Sequence, residues 1–499
     1  MKKISKSGNK PLNINDITII DDSKLKKAIT AAALGNAMEW FDFGVYGFLA
    51  YILGQVFFSD ASPSVQMVAA LATFSVPFLF RPLGGLVFGI LGDKFGRQKV
   101  LSITIVIMSL STFCIGLIPS YATIGIFAPI LLLLAKLAQG FSIGGEYSGA
   151  AIFVAEYSPD RKRGFMGSWL DFGSIAGFLI GAGLVVLLSA LLGEENFHAW
   201  GWRIPFFFAL PLGLIGLYLR HALEETPAFQ QQTDLKDDKD HNKTPPKITL
   251  KQIISQYWQS FLICVGLVIV TNVTYYMLLT YLPSYLSHNL NYHPDHGVLI
   301  IIAIMIGMLF VQPMIGLISD KIGRRPFIIG GSIGLLILAY PAFVMINSDV
   351  ILLIFLGLLI LAILLNCFTG VMASILPAIF PVSIRYSALA IAFNISVLIA
   401  GATPTVAAWL VEVSNNLYMP AYYLMIVALV GLITGLGMNE TANKPLRGAT
   451  PAASDRSEAK EILSEHFDSI EQKVEDIEQQ IETLQEQRQE LVDQHPKLD

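Results

Sequence analysis

Twelve apolar runs recur between residues 28 and 438, and each is long enough to cross a bilayer as a helix of about 20 residues. Charged residues make up only 14% of the sequence, against about 25% in a soluble domain, and the mean hydropathy is +0.59. We therefore predict an all-α integral membrane protein. The predicted spans lie near residues 28–55, 65–91, 100–118, 122–155, 164–192, 204–220, 258–282, 297–319, 327–346, 350–380, 385–411 and 419–438.

The basic residues between the spans predict their orientation. Connectors 56–64, 283–296 and 412–418 contain no Lys or Arg, whereas basic clusters follow the second, fourth, sixth and eighth spans. Cytoplasmic loops carry the excess of Lys and Arg in membrane proteins, so both termini are expected in the cytoplasm.

A short motif occurs twice and divides the spans into two sets of six. Segments 89–99 and 316–325 share the pattern Gly-x-x-x-Asp-Lys-x-Gly-Arg, and each closes the second span of its half. Parallel repeats of six-helix halves are typical of one transporter architecture. The predicted domains are an N-terminal arm (1–27) that we expect to be flexible, a first half (28–220), a polar linker (221–257), a second half (258–438) and a soluble tail (439–499).

These motifs resemble those of a known group of transporters. The repeated motif resembles the signature loop of the major facilitator superfamily, and segments 35–43, 139–147 and 161–169 resemble its metabolite:proton symporter family. Segment 271–281 and the acidic C-terminal helix are similar to the osmosensory members of that family. The resemblance implies a major facilitator fold of twelve transmembrane helices in two six-helix halves, with a C-terminal cytoplasmic coiled-coil helix.

The resemblance also implies a function. Such proteins use a proton gradient across the bacterial inner membrane to import compatible solutes such as proline, glycine betaine and ectoine at high osmolality. It further implies that the repeated motif locks one conformation through charge pairs. The predicted gating residues are Gly89, Asp93, Gly96, Arg97, Asp320, Gly323 and Arg324.

Two carboxylates, Glu39 and Asp42, lie near the middle of the first predicted span. Charged groups in hydrocarbon are costly and usually functional, and a carboxyl that can be protonated is what proton coupling requires. We predict that Glu39 carries the proton, with Asp42 as the second candidate; a structural pair with a buried cation is the alternative. Lys136 is a candidate partner for a carboxylate or for the solute, and Arg81 is expected to be structural, beside a turn at Pro82.

Aromatic and polar side chains on the first, fourth, seventh and tenth spans are predicted to line the solute path, because the superfamily places its pocket between those helices. A quaternary ammonium has no N–H to donate, and aromatic faces bind it with about 0.5–2 kcal/mol each. Asn36, Phe43 and Tyr46 share a helix face with Glu39. The predicted path residues are Asn36, Trp40, Phe43, Tyr46, Lys136, Asn272, Tyr275, Tyr276, Asn366 and Thr369.

The soluble tail contains a heptad pattern over about residues 460–495. Its a positions are Phe467, Val474, Ile481 and Arg488, and its d positions are Leu463, Ile470, Ile477, Leu484 and Leu491. This spacing predicts a coiled coil, with an amphipathic helix packed on the membrane body as the alternative. Arg488 would face its own copy in a parallel dimer but could reach Glu471 or Glu478 in an antiparallel one. We therefore predict an antiparallel homodimer.

Other functions remain open at this stage. A symporter of the same family for a dicarboxylate or sugar acid is one alternative, although a dianion would favour more buried cations than Lys136 and Arg81. A receptor that signals through the coiled coil without transport is another. We expect no enzyme activity, since no nucleophile–base set, metal cluster or phosphate loop occurs in the soluble parts. We also expect no cofactor beyond the coupling proton, and partners limited to membrane lipid, zwitterionic osmolytes and a second copy, without nucleic acid.

Overall fold

The computed structural model describes residues 12–60, 63–95, 97–144, 146–221, 255–286 and 294–494. The chain divides into two compact units, Asp22–Ala449 and a smaller one formed by Met1–Asp21 with Thr450–Asp499. Most of the predicted linker, residues 222–254, lies outside the described ranges.

The larger unit is helical throughout its described part. Apolar residues dominate each helix, and burial of a continuous apolar surface keeps the helices together. Its main helices are α1 (Asp22–Phe57), α2 (Pro63–Phe95), α3 (Arg97–Leu117), α4 (Phe127–Ile143), α5 (Glu146–Tyr157), α6 (Arg163–Ala199), α7 (Ala209–His221), α8 (Trp258–Tyr275), α9 (Pro294–Ile322), α10 (Arg325–Ile346), α11 (Ile351–Ile379), α12 (Arg385–Ala400), α13 (Thr403–Ser414) and α14 (Met419–Gly437).

Each of the twelve predicted spans contains helix in its described residues, and several of the spans are built from more than one helical segment. Within the described residues, nine helical stretches are long and apolar enough to cross a membrane, and two shorter apolar helices are Val76–Leu91 and Ser102–Leu117. Helix α1, whose middle holds Glu39 and Asp42, is not among these eleven stretches. The chain is therefore a multi-pass membrane protein.

Small residues allow the closest helix contacts. Helices α1 and α6 share the most extensive interface of the unit, and a Cβ atom at Gly173 or Gly177 would collide with the backbone of Ala33 or Ala37. Glycines at such positions let helix backbones approach closely in membranes. The two halves meet where α6 packs on α9 and where α2 packs on α12.

The smaller unit joins the predicted arm to the tail, and here the structure differs from the expected flexible arm. Strand β1 (Thr18–Ile19) pairs in parallel with β2 (Ala452–Ala453), and the tail helix α15 runs over Arg456–Gln494. Ile17 packs against Ala453 and Ala459, with Ile462 and Leu463 around them. Helix α1 also begins at Asp22 rather than near residue 28. Two short segments far apart in sequence thus bury a small apolar core that neither contains alone.

Candidate functional site

Glu39, on α1, forms a buried ion pair with Arg81 of α2. Arg81 Nη2 lies 2.5 Å from Glu39 Oε1, and both side chains are 3% exposed. The turn that we predicted at Pro82 is wrong, because α2 continues through both Pro77 and Pro82. The helix thereby carries Arg81 to the middle of the bundle, where it meets the carboxylate.

Asp42, one turn further along α1, is held by two donors from α4. Lys136 Nζ lies 3.0 Å from Asp42 Oδ2, and Gln139 Nε2 donates to Oδ1 at 3.0 Å. Lys136 also lies 4.1 Å from the ring centroid of Tyr46. Both oxygens of Asp42 thus have a partner, whereas Oε2 of Glu39 has none among the described residues.

Five aromatic side chains from three helices form a contiguous cluster that we call the aromatic box. Trp40 lies 4.4 Å from Tyr275 and 6.2 Å from Tyr276 between ring centroids. Phe43 stacks on Phe78 at 5.8 Å, and Phe78 meets Tyr276 edge-on at 5.7 Å. Helix α8 changes to π-helical geometry immediately after Tyr275, a feature frequent at functional sites because it re-aims side chains.

The box contains buried hydrogen-bond donors. Trp40 Nε1 and the hydroxyls of Tyr275 and Tyr276 have no hydrogen-bond partner within the described part of the chain. A buried polar group without a partner costs about 1–3 kcal/mol. The box therefore offers apolar faces and unsatisfied donors together, which suits a ligand with an apolar body and acceptor oxygens.

Arg81 joins the aromatic box to the Glu39 carboxylate. Its guanidinium carbon lies 5.3 Å from the ring centroid of Phe43 and 4.9 Å from that of Phe78. A guanidinium presents five donors in a planar fork, and Arg81 Nε has no acceptor among the described residues. The arrangement can therefore bind a carboxylate beside the aromatic faces.

Four predicted path residues make their hydrogen bonds outside the box. Asn36 donates from its amide nitrogen to Leu170 O and to Ser174 Oγ, so this group joins α1 to α6, and its place on the solute path stays a prediction. The amides or hydroxyls of the other three bond to α9 or to their own helix. These are Asn272 to Val268 O, Asn366 to Met308 O, and Thr369 to Gln312 and Leu365 O.

Neither Phe78 nor Asp171, a further buried carboxylate, was predicted from the sequence. Asp171 is on α6 and is 7% exposed. Its two oxygens lie 3.2 and 3.1 Å from the hydroxyl of Tyr147. Asp171, like Glu39, is an acidic residue inside an apolar span, so the same sequence pattern could have identified it.

A second cluster of buried charges, which we call the gate cluster, joins the two halves at one end of the bundle. Asp320, near the end of α9, accepts hydrogen bonds from the backbone N–H groups of Gly164 at 2.6 Å and Phe165 at 2.8 Å. These groups begin α6, and a carboxylate is favoured at a helix N-terminus. Arg324 Nη2 lies 3.4 Å from Asp320 Oδ1.

The gate cluster also contains an ion pair that crosses from one half to the other. Arg385 Nη1, at the start of α12, lies 2.7 Å from Glu156 Oε1 near the end of α5, and both side chains are fully buried. The first copy of the repeated motif is described only in part: Gly89 packs against α12, whereas Gly96 and the side chains of Asp93 and Arg97 lie outside the described residues. In the second copy, Gly323 has a φ of +98°, where a side chain would be strained.

Residues 440–449, which we call the strap, follow α14 and run across the gate cluster. Glu440 accepts backbone hydrogen bonds from Arg324 and Arg325. On the first half, Arg163 Nη1 donates to Lys444 O at 2.9 Å, and Ala155 packs with Leu446 of the strap.

The strap also contacts the second half further along. Arg385 Nη2 donates to Arg447 O at 3.0 Å, and Arg447 Nη1 donates to Ile379 O at 2.9 Å. Because the strap bonds to both halves, its contacts require this end of the bundle to be closed.

Comparisons with known proteins identify related chains. The sugar (and other) transporter family matches residues 28–452, and the osmosensory transporter coiled coil matches residues 454–499. A proline/betaine transporter of Salmonella typhimurium is 74% identical over 98% of both chains. A glycine betaine/proline/ectoine/pipecolic acid transporter of Dickeya dadantii is 72% identical over 100% of both.

A solved structure shows the same fold. A proton:xylose symporter of the major facilitator superfamily, bound to 6-bromo-6-deoxy-D-glucose, matches with a TM-score of 0.68 at 20% identity, covering 85% of this chain and 98% of that one. The predicted major facilitator fold is therefore confirmed. The chain belongs to the sugar (and other) transporter family and carries the osmosensory transporter coiled coil as its C-terminal domain.

Proposed function

We propose that this protein is an osmosensory proton symporter that imports zwitterionic compatible solutes, chiefly proline and glycine betaine. The observation that carries this proposal is the aromatic box of Trp40, Phe43, Phe78, Tyr275 and Tyr276 beside the buried Glu39–Arg81 pair. The printed names of relatives at 72–74% identity support the same solutes.

The chemistry of the solute fits the two parts of this site. Betaine has a trimethylammonium group and proline a pyrrolidinium ring, and neither cation needs to be matched by several hydrogen-bond acceptors. Aromatic faces attract such cations, with about 2 kcal/mol for each desolvated contact. The solute carboxylate would take the donors of Arg81 and of the box hydroxyls, which removes the cost of leaving those donors unpaired.

Competition for Arg81 provides a route to proton coupling. While Glu39 is ionised, its carboxylate holds the Arg81 guanidinium at 2.5 Å. Protonation of Glu39 removes that charge and frees the guanidinium for the carboxylate of the solute. Proton and solute then bind together, because Arg81 has a carboxylate partner both when the site is empty with Glu39 ionised and when it carries proton and solute together.

Asp42 is the weaker candidate for the proton. Its carboxylate is already paired with Lys136 and Gln139, and Gln139 is in turn 2.6 Å from Thr112 Oγ1. Protonation would leave Lys136 as an uncompensated buried cation, which is strongly unfavourable. We assign Asp42 and Lys136 to holding α1 against α4.

The remaining assignments concern location and regulation. We propose the bacterial inner membrane, with both termini and the gate cluster on the cytoplasmic side, because the basic connectors lie there. We also propose that α15 forms an antiparallel homodimer and takes part in osmosensing. Its apolar stripe from Phe467 to Leu491 is 43–62% exposed in a single copy, as expected of a coiled-coil surface.

Uptake into proteoliposomes tests the transport proposal. Labelled betaine and proline should accumulate when an inward proton gradient is imposed, and accumulation should rise with external osmolality. Absence of uptake under every gradient would refute transport, and uptake indifferent to osmolality would refute osmosensing alone.

Two variants separate the roles of the carboxylates. Glu39→Gln should abolish gradient-driven accumulation while exchange of internal for external solute survives. Asp42→Asn should instead lower the amount of folded protein, measured by its thermal transition in detergent. If accumulation persists in Glu39→Gln, the proton must be carried by another buried carboxyl such as Asp42 or Glu146.

A single cysteine at Leu491 tests the orientation of the dimer. In an antiparallel coiled coil the two copies of this position lie at opposite ends, so oxidation should give little disulfide-linked dimer. Efficient cross-linking of Leu491→Cys to its own copy would rule out the antiparallel arrangement.

A further inference from the structure

Asp171 is a buried carboxylate for which the transport mechanism above has no use. It lies on α6 and is more than nine-tenths buried. Among the described residues, the carboxylate of Asp171 accepts a hydrogen bond from the hydroxyl of Tyr147 and forms no salt bridge. Glu39 and Asp42, by contrast, each have a cation within 3.0 Å.

A buried carboxylate balanced only by a hydroxyl is costly. Transfer of a charge into the interior is expensive unless it is paired, and one neutral hydrogen bond recovers only part of that cost. Such a group in a membrane protein usually faces a cavity or a ligand path. A cationic group of a ligand would supply the missing partner.

Asp171 lies within electrostatic range of Tyr275 in the aromatic box. Asn36 of α1 donates to the carbonyl of Leu170, the residue before Asp171, and Trp40 lies one turn after Asn36 on the same face of α1. Asp171 also acts electrostatically on Tyr275. Tyr147 of α5 thus contacts this carboxylate directly, and Tyr275 of the aromatic box lies within its electrostatic range.

The box therefore has opposite charges at its two ends. Arg81 acts electrostatically on Tyr276 and lies over Phe43 and Phe78, whereas Asp171 acts on Tyr275. Trp40 contacts both tyrosines, at 4.4 and 6.2 Å. This order of cation, aromatic faces and anion matches the order of charges in a zwitterion whose carboxylate faces Arg81.

We propose that Asp171 binds the ammonium end of the solute and so selects zwitterions over simple carboxylates. The inference rests on the proposed function, because it assigns the second half of that solute site. Tyr147 is a positioning residue: its hydroxyl holds the carboxylate, and its ring stacks on Phe393 of the second half at 4.6 Å.

The test compares betaine with its uncharged isostere. In 3,3-dimethylbutyrate a carbon replaces the nitrogen of betaine, so shape and carboxylate are kept while the positive charge is lost. Both compounds should be competed against labelled betaine on purified full-length protein in lipid nanodiscs. The ratio of their affinities reports the contribution of the ammonium charge and is insensitive to a general loss of active protein.

We expect the Asp171→Asn variant to lower this ratio at least about tenfold, since unit charges roughly 5 Å apart at an effective dielectric of about 20 attract strongly. The aromatic faces still favour the cation, so the ratio should stay above one. Asp171→Glu should keep most of the preference, and Glu412→Gln, at an exposed position, should not change it.

The outcomes separate the two proposals. If wild-type protein binds neither betaine nor proline, the proposed function fails. If wild-type protein prefers betaine and Asp171→Asn keeps the same ratio, only the role of Asp171 is refuted. Should Asp171→Asn fail to fold, the ratio measured with Tyr147→Phe decides, because this variant removes the hydroxyl that holds the Asp171 carboxylate. A ratio changed less than twofold in Tyr147→Phe would then overturn the proposal.

Discussion

The buried pair between Glu156 and Arg385 should control how often the gate cluster opens. Glu156 belongs to the first half and Arg385 to the second, and their atoms are 2.7 Å apart with no exposure of either side chain. In the Glu156→Gln variant the guanidinium stays buried without the charge of Glu156 as long as this end is closed. Opening would hydrate it, so the change destabilises the closed state selectively.

The magnitude follows from the burial of the pair. Removal of one partner from a buried ion pair costs about 3–5 kcal/mol. The amide oxygen of Gln remains an acceptor, and Arg385 keeps the carbonyls of Phe380 and Arg447, so we take the low end, about 3 kcal/mol. Because every 1.4 kcal/mol is a factor of about ten, the ratio of closed to open protein should fall about 100-fold.

A thiol-accessibility assay measures this ratio. Ser374 is 1% exposed on α11, and Arg324 Nη1 points at its carbonyl from the gate cluster. The Ser374→Cys variant should be made in a background without Cys114, Cys264 and Cys367. When opening is rapid compared with alkylation, the alkylation rate follows the open fraction.

The expected result is a large rise in alkylation rate with Glu156→Gln and a partial return when Arg385→Gln is added, because the buried guanidinium is then gone. Exposed Glu412→Gln serves as the matched control and should have no effect. An alkylation rate within threefold of the parent would contradict the argument that this pair holds the two halves together.

Three further predictions concern other parts of the structure. Gly177→Val should prevent α1 and α6 from packing, since a Cβ there collides with Ala37, and the thermal transition in detergent should be lost or strongly lowered. Burial by itself raises the pKa of Glu440, but hydrogen bonds from the backbone N–H groups of Ala442, Arg324, Arg325 and Thr441 outweigh burial and lower the pKa overall. The ionised Glu440 therefore stabilises the folded protein fully above the unfolded pKa of about 4.3. This stabilisation is lost as the pH falls through the lower pKa of the folded state. The midpoint temperature of thermal unfolding, measured between pH 3 and 6 in steps of roughly one pH unit, should therefore change less with pH in Glu440→Gln than in the wild-type protein. Ile17→Asp should release residues 12–21 from the tail, and limited proteolysis should then cut within that segment faster than in Ile17→Leu.

The sequence was sufficient to predict what depends on length and periodicity. Apolar runs gave the spans, and the repeated motif gave the two halves, because hydrophobic thickness and backbone hydrogen bonding leave few alternatives. Glu39 was identified as unusual for the same reason. The partner of Glu39 could not be predicted, because pairing with Arg81 rather than Lys136 depends on how α1 and α2 are rotated against each other.

Contacts between distant segments could not be predicted. The strap has no periodic pattern, and its role depends on carbonyl groups that every residue possesses, such as those of Lys444 and Arg447. The same is true of β1 and β2, two strands of two residues each. The hydrogen bonds from Asn36 to α6 were not predicted either, because a shared helix face does not determine which neighbouring helix that face meets.

The pairing of β1 with β2 has a consequence for biosynthesis. The hydroxyls of Thr18 and Thr450 meet across a separation of 432 residues. A ribosome makes β1 before the first membrane helix and β2 after the last, at about 5–20 residues per second. The residues that pack against Ile17 are therefore synthesised only after most of the chain has been translated. A chaperone that recognises short apolar segments would have this site available on every chain that has not yet reached Ala459, so closure of the smaller unit marks a chain whose helices up to Gly437 have all been synthesised.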